Sequence, residues 1–201
     1  METHPKRFLH VGCGTQTKQY LRGFLEDEWA EVRFDIDPDV NPDIIGTITD
    51  MSGVESESVE AIYSSHNVEH VFPHEVPKML SEFWRVLKPG GFLVVTCPDL
   101  RAVAEAIIQV GVDEPIYQSS MGPITPLDIL FGHIASVSAG NEYMAHKGGF
   151  TLKSLMARLK EADFRTTVGK RRPMVLDLWA MAYKTDTPDH VVERDRIRYL
   201  P

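Results

Sequence analysis

Short apolar runs alternate with amphipathic stretches through much of the chain. The runs that have the length and composition of buried strands lie at residues 8–11, 32–36, 44–48, 59–63, 92–96, 164–168 and 176–183. Apolar residues at helical spacing predict helices at residues 18–28, 74–87, 101–110 and 151–163. Because strands alternate with helices up to residue 111, the pattern predicts an α/β fold with a mostly parallel sheet. Thr151 is the expected N-cap of the last helix.

Two parts of the chain depart from this alternation. Residues 112–150 contain three prolines and five glycines, which suppress regular structure. In a compact domain so long an irregular stretch is usually a lid or a binding loop, or else a packed loop or a dimer contact. The tail from residue 185 is rich in Asp and Arg and has little to bury, so we expect a mobile end or a contact arm. We treat residues 1–201 as a single domain.

Composition and charge narrow the classes of partner. The chain of 201 residues has 21 Lys and Arg against 29 Asp and Glu, a formal net charge of −8. This balance disfavours bulk nucleic acid as a partner, because nonspecific binding of nucleic acid needs phosphate neutralisation by basic side chains. Two cysteines, Cys13 and Cys97, suit a reducing compartment. With neither a signal-peptide core nor an apolar run of membrane-spanning length, we expect a cytoplasmic protein without a membrane partner.

A glycine pair and an acidic residue stand where a parallel sheet binds its ligand. Gly12 and Gly14 follow the first strand, and Asp35 ends the second strand 21 residues after Gly14. Glycines at that turn let the backbone touch a ligand, and the acid can accept both hydroxyls of a ribose. The place of the third glycine of the dinucleotide fingerprint is taken by Thr17, which disfavours NAD and FAD. The pattern therefore favours another adenosine-containing cofactor.

A series of motifs extends this pattern through the first half of the chain. It consists of LHVGCG at 9–14, FDID at 34–37, DM at 50–51, VEAIYSSHNVEH at 59–70, RVLKPGG at 85–91 and FLVVT at 92–96. In this order and spacing the series resembles the class I S-adenosylmethionine (SAM)-dependent methyltransferases, in particular the methyltransferase type 11 group. Residues 150–164 extend the likeness toward the C-terminus. The segment at 85–91 is the most specific piece.

The resemblance implies a fold, an activity and a set of cofactor-binding residues. The fold is a three-layer, Rossmann-like one whose seven-stranded, mostly parallel sheet has an antiparallel last strand. The activity is methyl transfer from SAM to oxygen or nitrogen of a small-molecule or sugar acceptor by in-line displacement. The implied cofactor-binding residues are Gly12, Cys13, Gly14, Asp35, Ile36, Asp50, Met51 and Ser65. Asp35 holds the ribose, Asp50 and Met51 meet the adenine, and Ser65 lies near the methyl group.

Catalytic candidates follow from the chemistry of the acceptor. An uncharged hydroxyl or a protonated amine needs a general base, and imidazole titrates near neutral pH. The candidates are His66, His70, His133 and His146. The last two lie in the 112–150 segment, which we expect to cover the cofactor and to select the acceptor. We expect no bound metal, and the sequence leaves a homodimer open.

Two alternatives remain. His10 and Gln16 stand where the family usually has an acid and a third glycine, which leaves open a non-catalytic module of the same fold. The segment from His66 to His70 also fits the H-x-x-E-H pattern of a zinc hydrolase. That pattern belongs in the middle of a helix, whereas here it directly follows a strand and is followed by Pro73. We therefore expect a short helical turn that borders the cleft.

Overall fold

The computed structural model describes residues 4–119 and 121–201. Its strands are β1 Lys6–Val11, β2 Trp29–Asp35, β3 Ile44–Ile45, β4 Val59–Ser65, β5 Leu87–Pro98, β6 Tyr117–Ser119, β7 Gly122–Ile124, β8 Thr166–Arg172 and β9 Asp177–Tyr183. Seven of them form one sheet in the order β3-β2-β1-β4-β5-β9-β8, and β6 pairs with β7 in a hairpin. Strands β1 to β5 run parallel, whereas β9 is antiparallel to β5 and β8. The predicted sheet, with its antiparallel last strand, is confirmed.

Helices cover both faces of the sheet. They are α1 Val76–Val86, α2 Leu100–Val110, α3 Pro126–Phe131, α4 Ile134–Ser138, α5 Leu152–Glu161 and α6 Asp189–Tyr199. On one face, Met79 and Phe83 of α1 and Leu155 of α5 enter the main core. On the other face, Tyr199 of α6 packs with Phe24, which precedes β2, in a second core. The predicted three layers are present. Among the described residues, no helix combines the length and apolar character needed to cross a bilayer.

The helix predicted at residues 18–28 is wrong. The structure has a 3₁₀ helix of three residues, Lys18–Tyr20, and turns after it. Gly23 has a φ of +82°, and a Cβ atom there would lie 2.3 Å from the ring of Tyr199. Packing against α6 therefore overrides the helical spacing of the apolar residues, as tertiary contacts often override local propensity.

The expectation that the tail from residue 185 has little to bury is also wrong. The tail forms α6, and Tyr199 and Leu200 are both 3% exposed. The ring centroid of Tyr199 lies 4.9 Å from that of Phe24 and 5.0 Å from that of Phe92. The sequence of α6 is mostly polar and carries its large apolar side chains only near the C-terminal end. Its packing against the sheet was therefore not predicted.

The 112–150 segment is more regular than we expected. It contains the β6–β7 hairpin, α3, α4 and a 3₁₀ helix at Glu142–Met144. Pro126 starts α3 rather than preventing it, because proline fits the first turn of a helix. Thr125 and Asp128 cap that turn reciprocally. Thr151 caps α5 as predicted, since its Oγ1 atom accepts a hydrogen bond of 3.2 Å from the backbone N–H of Ser154.

The aromatic layer under α6 gives a test of the fold. We expect Tyr199→Ala to lower the free energy of unfolding by about 3–5 kcal/mol, the usual cost of truncating a large buried aromatic side chain. Urea denaturation measures this cost as a lower midpoint. Ile197→Ala on the same helix is the control, since Ile197 is 61% exposed and such changes usually stay within about 0.5 kcal/mol. Equal midpoints for the two variants would show that α6 does not stabilise the sheet.

Candidate active site

The carboxyl ends of β1, β2 and β4 meet at one edge of the sheet, and the glycine loop lies there. Gly12 and Gly14 have φ values of +65° and +50°, a region that favours glycine. A Cβ atom on Gly12 would lie 2.6 Å from Cγ of Asn67, so the close approach of these two segments requires a glycine. At Gly14 a Cβ atom would meet no described atom within 4 Å, because it would point into open space.

Asp35 holds this loop in place. Its Oδ2 atom accepts a hydrogen bond of 2.7 Å from the backbone N–H of Gly14, and its Oδ1 atom accepts one of 3.0 Å from that of Asp37. The residue is only 8% exposed. A carboxylate offers about four acceptor sites, so it can still accept the hydroxyls of a ribose. The Nη2 atom of Arg33 donates to the carbonyl oxygen of Gly14 from the same strand.

A cavity of about 280 Å³ opens in front of the loop, and we call it the glycine-loop cavity. Its walls include Gly12, Gly14, Asp35 and Ile36, four of the residues predicted to bind the cofactor. Tyr143, Met144 and Lys147 close it from the side of the 112–150 segment.

The other four predicted cofactor residues are Cys13, Asp50, Met51 and Ser65. None of them is among the described residues that line the glycine-loop cavity. Met51 is fully buried in the main core, and Glu82 and Arg85 of α1 bind its backbone. Asp50 points to solvent, where its Oδ1 atom accepts from the backbone N–H of Ser52.

Thr47 and Ile48 also line the wall of the glycine-loop cavity. They follow β3 directly, after Gly46. The sequence carried a signal for them, since ligands of parallel sheets lie beyond the carboxyl ends of the strands. Asp50 and Met51, three residues further along the chain, stay a prediction as adenine contacts.

The four candidate histidines do come together. They line a second cavity of about 510 Å³, which we call the histidine cavity: His66, His70, His133 and His146. His66, His70 and Met144 line both cavities, so the two spaces adjoin at these residues. His66 has a φ of +48°, which is unusual for a residue with a side chain. This backbone turn at the end of β4 places its ring at the junction.

Glu69 lies beneath these rings and was not among the predicted site residues. It is 1% exposed, and its Oε1 atom lies 3.5 Å from Nδ1 of His66, which is long for a hydrogen bond. Burial by itself raises the pKa of Glu69, but the neighbouring imidazoles of His66 and His70 outweigh it and lower this pKa. Burial likewise works to lower the pKa of His66, and the carboxylate of Glu69 reverses that and raises it.

Two of the histidines are oriented by backbone carbonyls. The Nδ1 atom of His70 donates to the oxygen of Ala145 at 3.0 Å, and that of His146 donates to the oxygen of Ile129 at 2.8 Å. Burial lowers the pKa of His146. His133 is held differently, since its Nδ1 atom pairs with Oγ of Ser136 at 2.7 Å.

The H-x-x-E-H segment does not form a hydrolase helix. His66 ends the turn after β4, and Val68–His70 is a 3₁₀ helix of three residues. The expected short turn at the cleft is therefore present.

His10 has a structural role in place of the usual acid. It is 2% exposed, and its Nδ1 atom lies 2.7 Å from Oε1 of Glu31 on β2. Burial lowers the pKa of His10 although the Glu31 carboxylate opposes that shift, and the carboxylate accepts the hydrogen of the Nδ1 atom. The Oε2 atom of Glu31 accepts from the backbone N–H of Lys18.

Comparison with known proteins agrees with this geometry. Residues 9–95 match the family described as methyltransferase domain, type 11. No curated protein matches the chain. Among solved structures, a possible exported protein from Bordetella parapertussis is 17% identical with a TM-score of 0.59. The match covers 91% of this chain and 63% of that chain, so this chain is clearly shorter.

Two further structures have the same fold at similar identity. A SAM-dependent methyltransferase from Archaeoglobus fulgidus is 16% identical, with a TM-score of 0.57, and the match covers 90% of this chain and 86% of that one. A SAM-dependent methyltransferase from Thermotoga maritima, described as a possible histamine N-methyltransferase, is 14% identical with a TM-score of 0.56. That match covers 92% of this chain and 84% of the other.

The sheet order and the glycine loop are those of the class I SAM-dependent methyltransferase fold, and the match over residues 9–95 implies SAM as the cofactor.

Two glycines with the same backbone constraint test the cofactor site. Gly14→Ala and Gly90→Ala both place a side chain at positive φ with open space around it, at a cost of about 1–2 kcal/mol in stability. Only the methyl group on Gly14 intrudes into the glycine-loop cavity. We expect Gly14→Ala to weaken SAM binding about tenfold or more, in line with the ~1–3 kcal/mol of overpacking.

Calorimetric titration with SAM measures this difference. Gly90→Ala should bind SAM like the wild type, which separates loss of the site from general destabilisation. If both variants bind equally well, the cofactor does not lie against Gly14.

Proposed function

We propose that this protein transfers the methyl group of SAM to an oxygen or nitrogen atom of a small, mostly apolar acceptor molecule. The single observation that carries the proposal is the junction of the two cavities at His66, His70 and Met144. SAM in the glycine-loop cavity, with its ribose on Asp35, would point its methyl group toward that junction. An acceptor in the histidine cavity would then meet the methyl group from the other side.

The lining of the histidine cavity favours an uncharged acceptor. Apolar side chains such as Ile124, Ile129 and Leu176 form much of the wall. Among the described lining residues Asp128 is the one carboxylate, and its oxygens already accept hydrogen bonds from Thr125 and Ile134. A sugar with many hydroxyls would leave most of them unpaired there, which is costly. A compact molecule with one or two polar atoms fits better.

The charge of the surface supports a small-molecule acceptor over nucleic acid. The basic run at residues 170–172 is the densest in the chain. Arg171 pairs with Asp99, and Arg172 pairs with Asp177. These guanidinium groups are therefore engaged within the protein instead of presenting a free patch to phosphates.

The protein's contribution to the reaction is alignment. The acceptor atom forms a bond to the methyl carbon while the bond from carbon to sulfur breaks, and the electron pair stays on the sulfur. The sulfonium supplies the driving force, so binding both molecules in line is the main requirement. All four candidate histidines line the cavity in which a proton of the acceptor would be released.

The location of the protein is part of the proposal. Cys13 and Cys97 are both buried and free, and burial raises the pKa of the Cys13 thiol to about 11. Such thiols are unreactive and need no disulfide partner, which supports a reducing, cytoplasmic setting.

The ribose contact can be tested with a pair of aspartates. Asp35→Ala leaves the ribose hydroxyls poorly paired and removes the anchor of Gly14, at a cost of roughly 1.5–3 kcal/mol for charge-assisted hydrogen bonds. We expect SAM affinity to fall about tenfold or more. Asp37→Ala is the matched control, because the Asp37 carboxylate accepts from the backbone N–H of Asp39. The assignment is wrong if Asp37→Ala loses affinity and Asp35→Ala does not.

Hydrogen exchange tests the role of the 112–150 segment. Since Tyr143, Met144 and Lys147 line the glycine-loop cavity, the demethylated cofactor should increase amide protection around residues 141–147. Helix α5, at residues 152–161, serves as the internal control and should not change. Unchanged protection across the whole segment would contradict a covering role and leave only packing.

The activity itself is tested with radiolabelled methyl-SAM and a library of small aromatic and aliphatic alcohols and amines. We expect labelled product from the wild type and at least tenfold less from Asp35→Ala, following its loss of cofactor affinity. SAM binding without any labelled product would favour the non-catalytic module.

A further inference from the structure

Three side chains that can bind a metal ion meet on the wall between the two cavities. A carboxylate oxygen of Glu69 and ring nitrogens of His70 and His146 all lie within 4.8 Å of one another. Two come from the turn after β4, and the third comes from the end of the 112–150 segment. Their meeting is therefore a product of the tertiary structure.

The carboxylate of Glu69 lacks the partners that a buried charge requires. Neither of its oxygens has a hydrogen-bond partner among residues 4–119 and 121–201, although the residue is 1% exposed. The nearest ring nitrogens are those of His66 at 3.5 Å and His146 at 4.0 Å. Buried charges in proteins are normally paired or bound to a metal ion. A cation bound between the carboxylate and the rings would supply the partner that both oxygens lack.

The two histidines have the tautomer that a metal ligand needs. A carbonyl oxygen can only accept, so the Nδ1 atoms of His70 and His146 carry the hydrogens in their bonds to Ala145 and Ile129. The Nε2 atom of each ring then keeps a free lone pair. Metal-binding histidines commonly donate their other ring N–H to a backbone carbonyl in this way.

We propose that Glu69, His70 and His146 bind one divalent transition-metal ion of the zinc type. Two imidazoles and one carboxylate are a common ligand set for a zinc ion that keeps an open position. Small side-chain rotations would bring the ligand atoms to about 2.0–2.1 Å from the ion. The sequence led us to expect no metal, because the H-x-x-E-H segment follows a strand and is followed by Pro73 instead of lying in the middle of a helix.

The ion would also narrow the class of acceptor, and this step rests on the proposed function. His70 and His146 both line the histidine cavity, so the open position would face the acceptor. A divalent cation there favours the deprotonated form of a hydroxyl. The acceptor would then be an alcohol or a phenol rather than an amine.

Calorimetric titration of EDTA-treated protein with Zn²⁺ tests the site. We expect the wild type to bind one ion per chain. Glu69→Gln and His146→Ala should each weaken binding by at least about 10–100-fold, the loss seen even for removal of a partner that only orients a ligand. His74→Ala is the matched control, since His74 is exposed on the surface and is not part of the cluster. It should bind Zn²⁺ like the wild type.

A second measurement guards against variants that fail to fold. Zn²⁺ should raise the melting temperature of the wild type and of His74→Ala, because binding stabilises the folded state by mass action. It should leave that of Glu69→Gln unchanged, while the circular dichroism spectrum of this variant stays that of the wild type.

Absence of stoichiometric Zn²⁺ binding by the wild type would overturn the proposal, and so would full affinity in both cluster variants. SAM titration of the metal-free wild type separates this result from the proposed function. SAM binding without Zn²⁺ binding removes only the metal site, and Zn²⁺ binding without SAM binding removes only the proposed function.

Discussion

The hydrogen bond from the backbone N–H of Gly14 to the carboxylate of Asp35 connects the two strands on which the cofactor site depends. It fixes the glycine loop at the end of β1 against the end of β2. A carboxylate buried to this degree is stable only when its oxygens are bonded, and the loop amides supply the donors. The same contact orders the loop and leaves acceptor sites for a ribose. Thr47 and Ile48, at the end of β3, continue the wall that begins with this pair.

The face of the sheet that α6 covers is packed differently from what the sequence predicts. The first helix that the sequence predicts is absent, and Tyr199 of the C-terminal helix occupies its space. An aromatic layer of Phe24, Trp29 and Phe92 covers that face of the sheet. Hydrophobic stabilisation depends on the apolar area removed from water. The same face of the sheet can therefore be covered by side chains from a different part of the chain. The sheet and its carboxyl-end cavities remain in place.

Glu69 joins the chemistry of the two cavities. Its buried carboxylate holds the rings of His66, His70 and His146 in one electrostatic group, which shifts the pKa of both Glu69 and His66. A buried acid of this kind destabilises the fold unless a positive charge balances it. Buried clusters of titratable groups with shifted pKa values are typical of functional sites.

The sequence by itself determined the seven strands and the mostly parallel sheet, and it indicated that Gly12, Gly14, Asp35 and Ile36 lie at the strand ends where the glycine-loop cavity opens. Those features depend on local periodicity and on glycines and an acid at strand ends, which a chain carries in order. Only the tertiary structure decided that Tyr143 and Lys147 close the cavity, that Tyr199 packs where a helix was predicted, and that His146 meets Glu69. These depend on contacts between residues far apart in the chain. Local spacing cannot specify them, because the free energy that selects them comes from packing and from the pairing of buried charge.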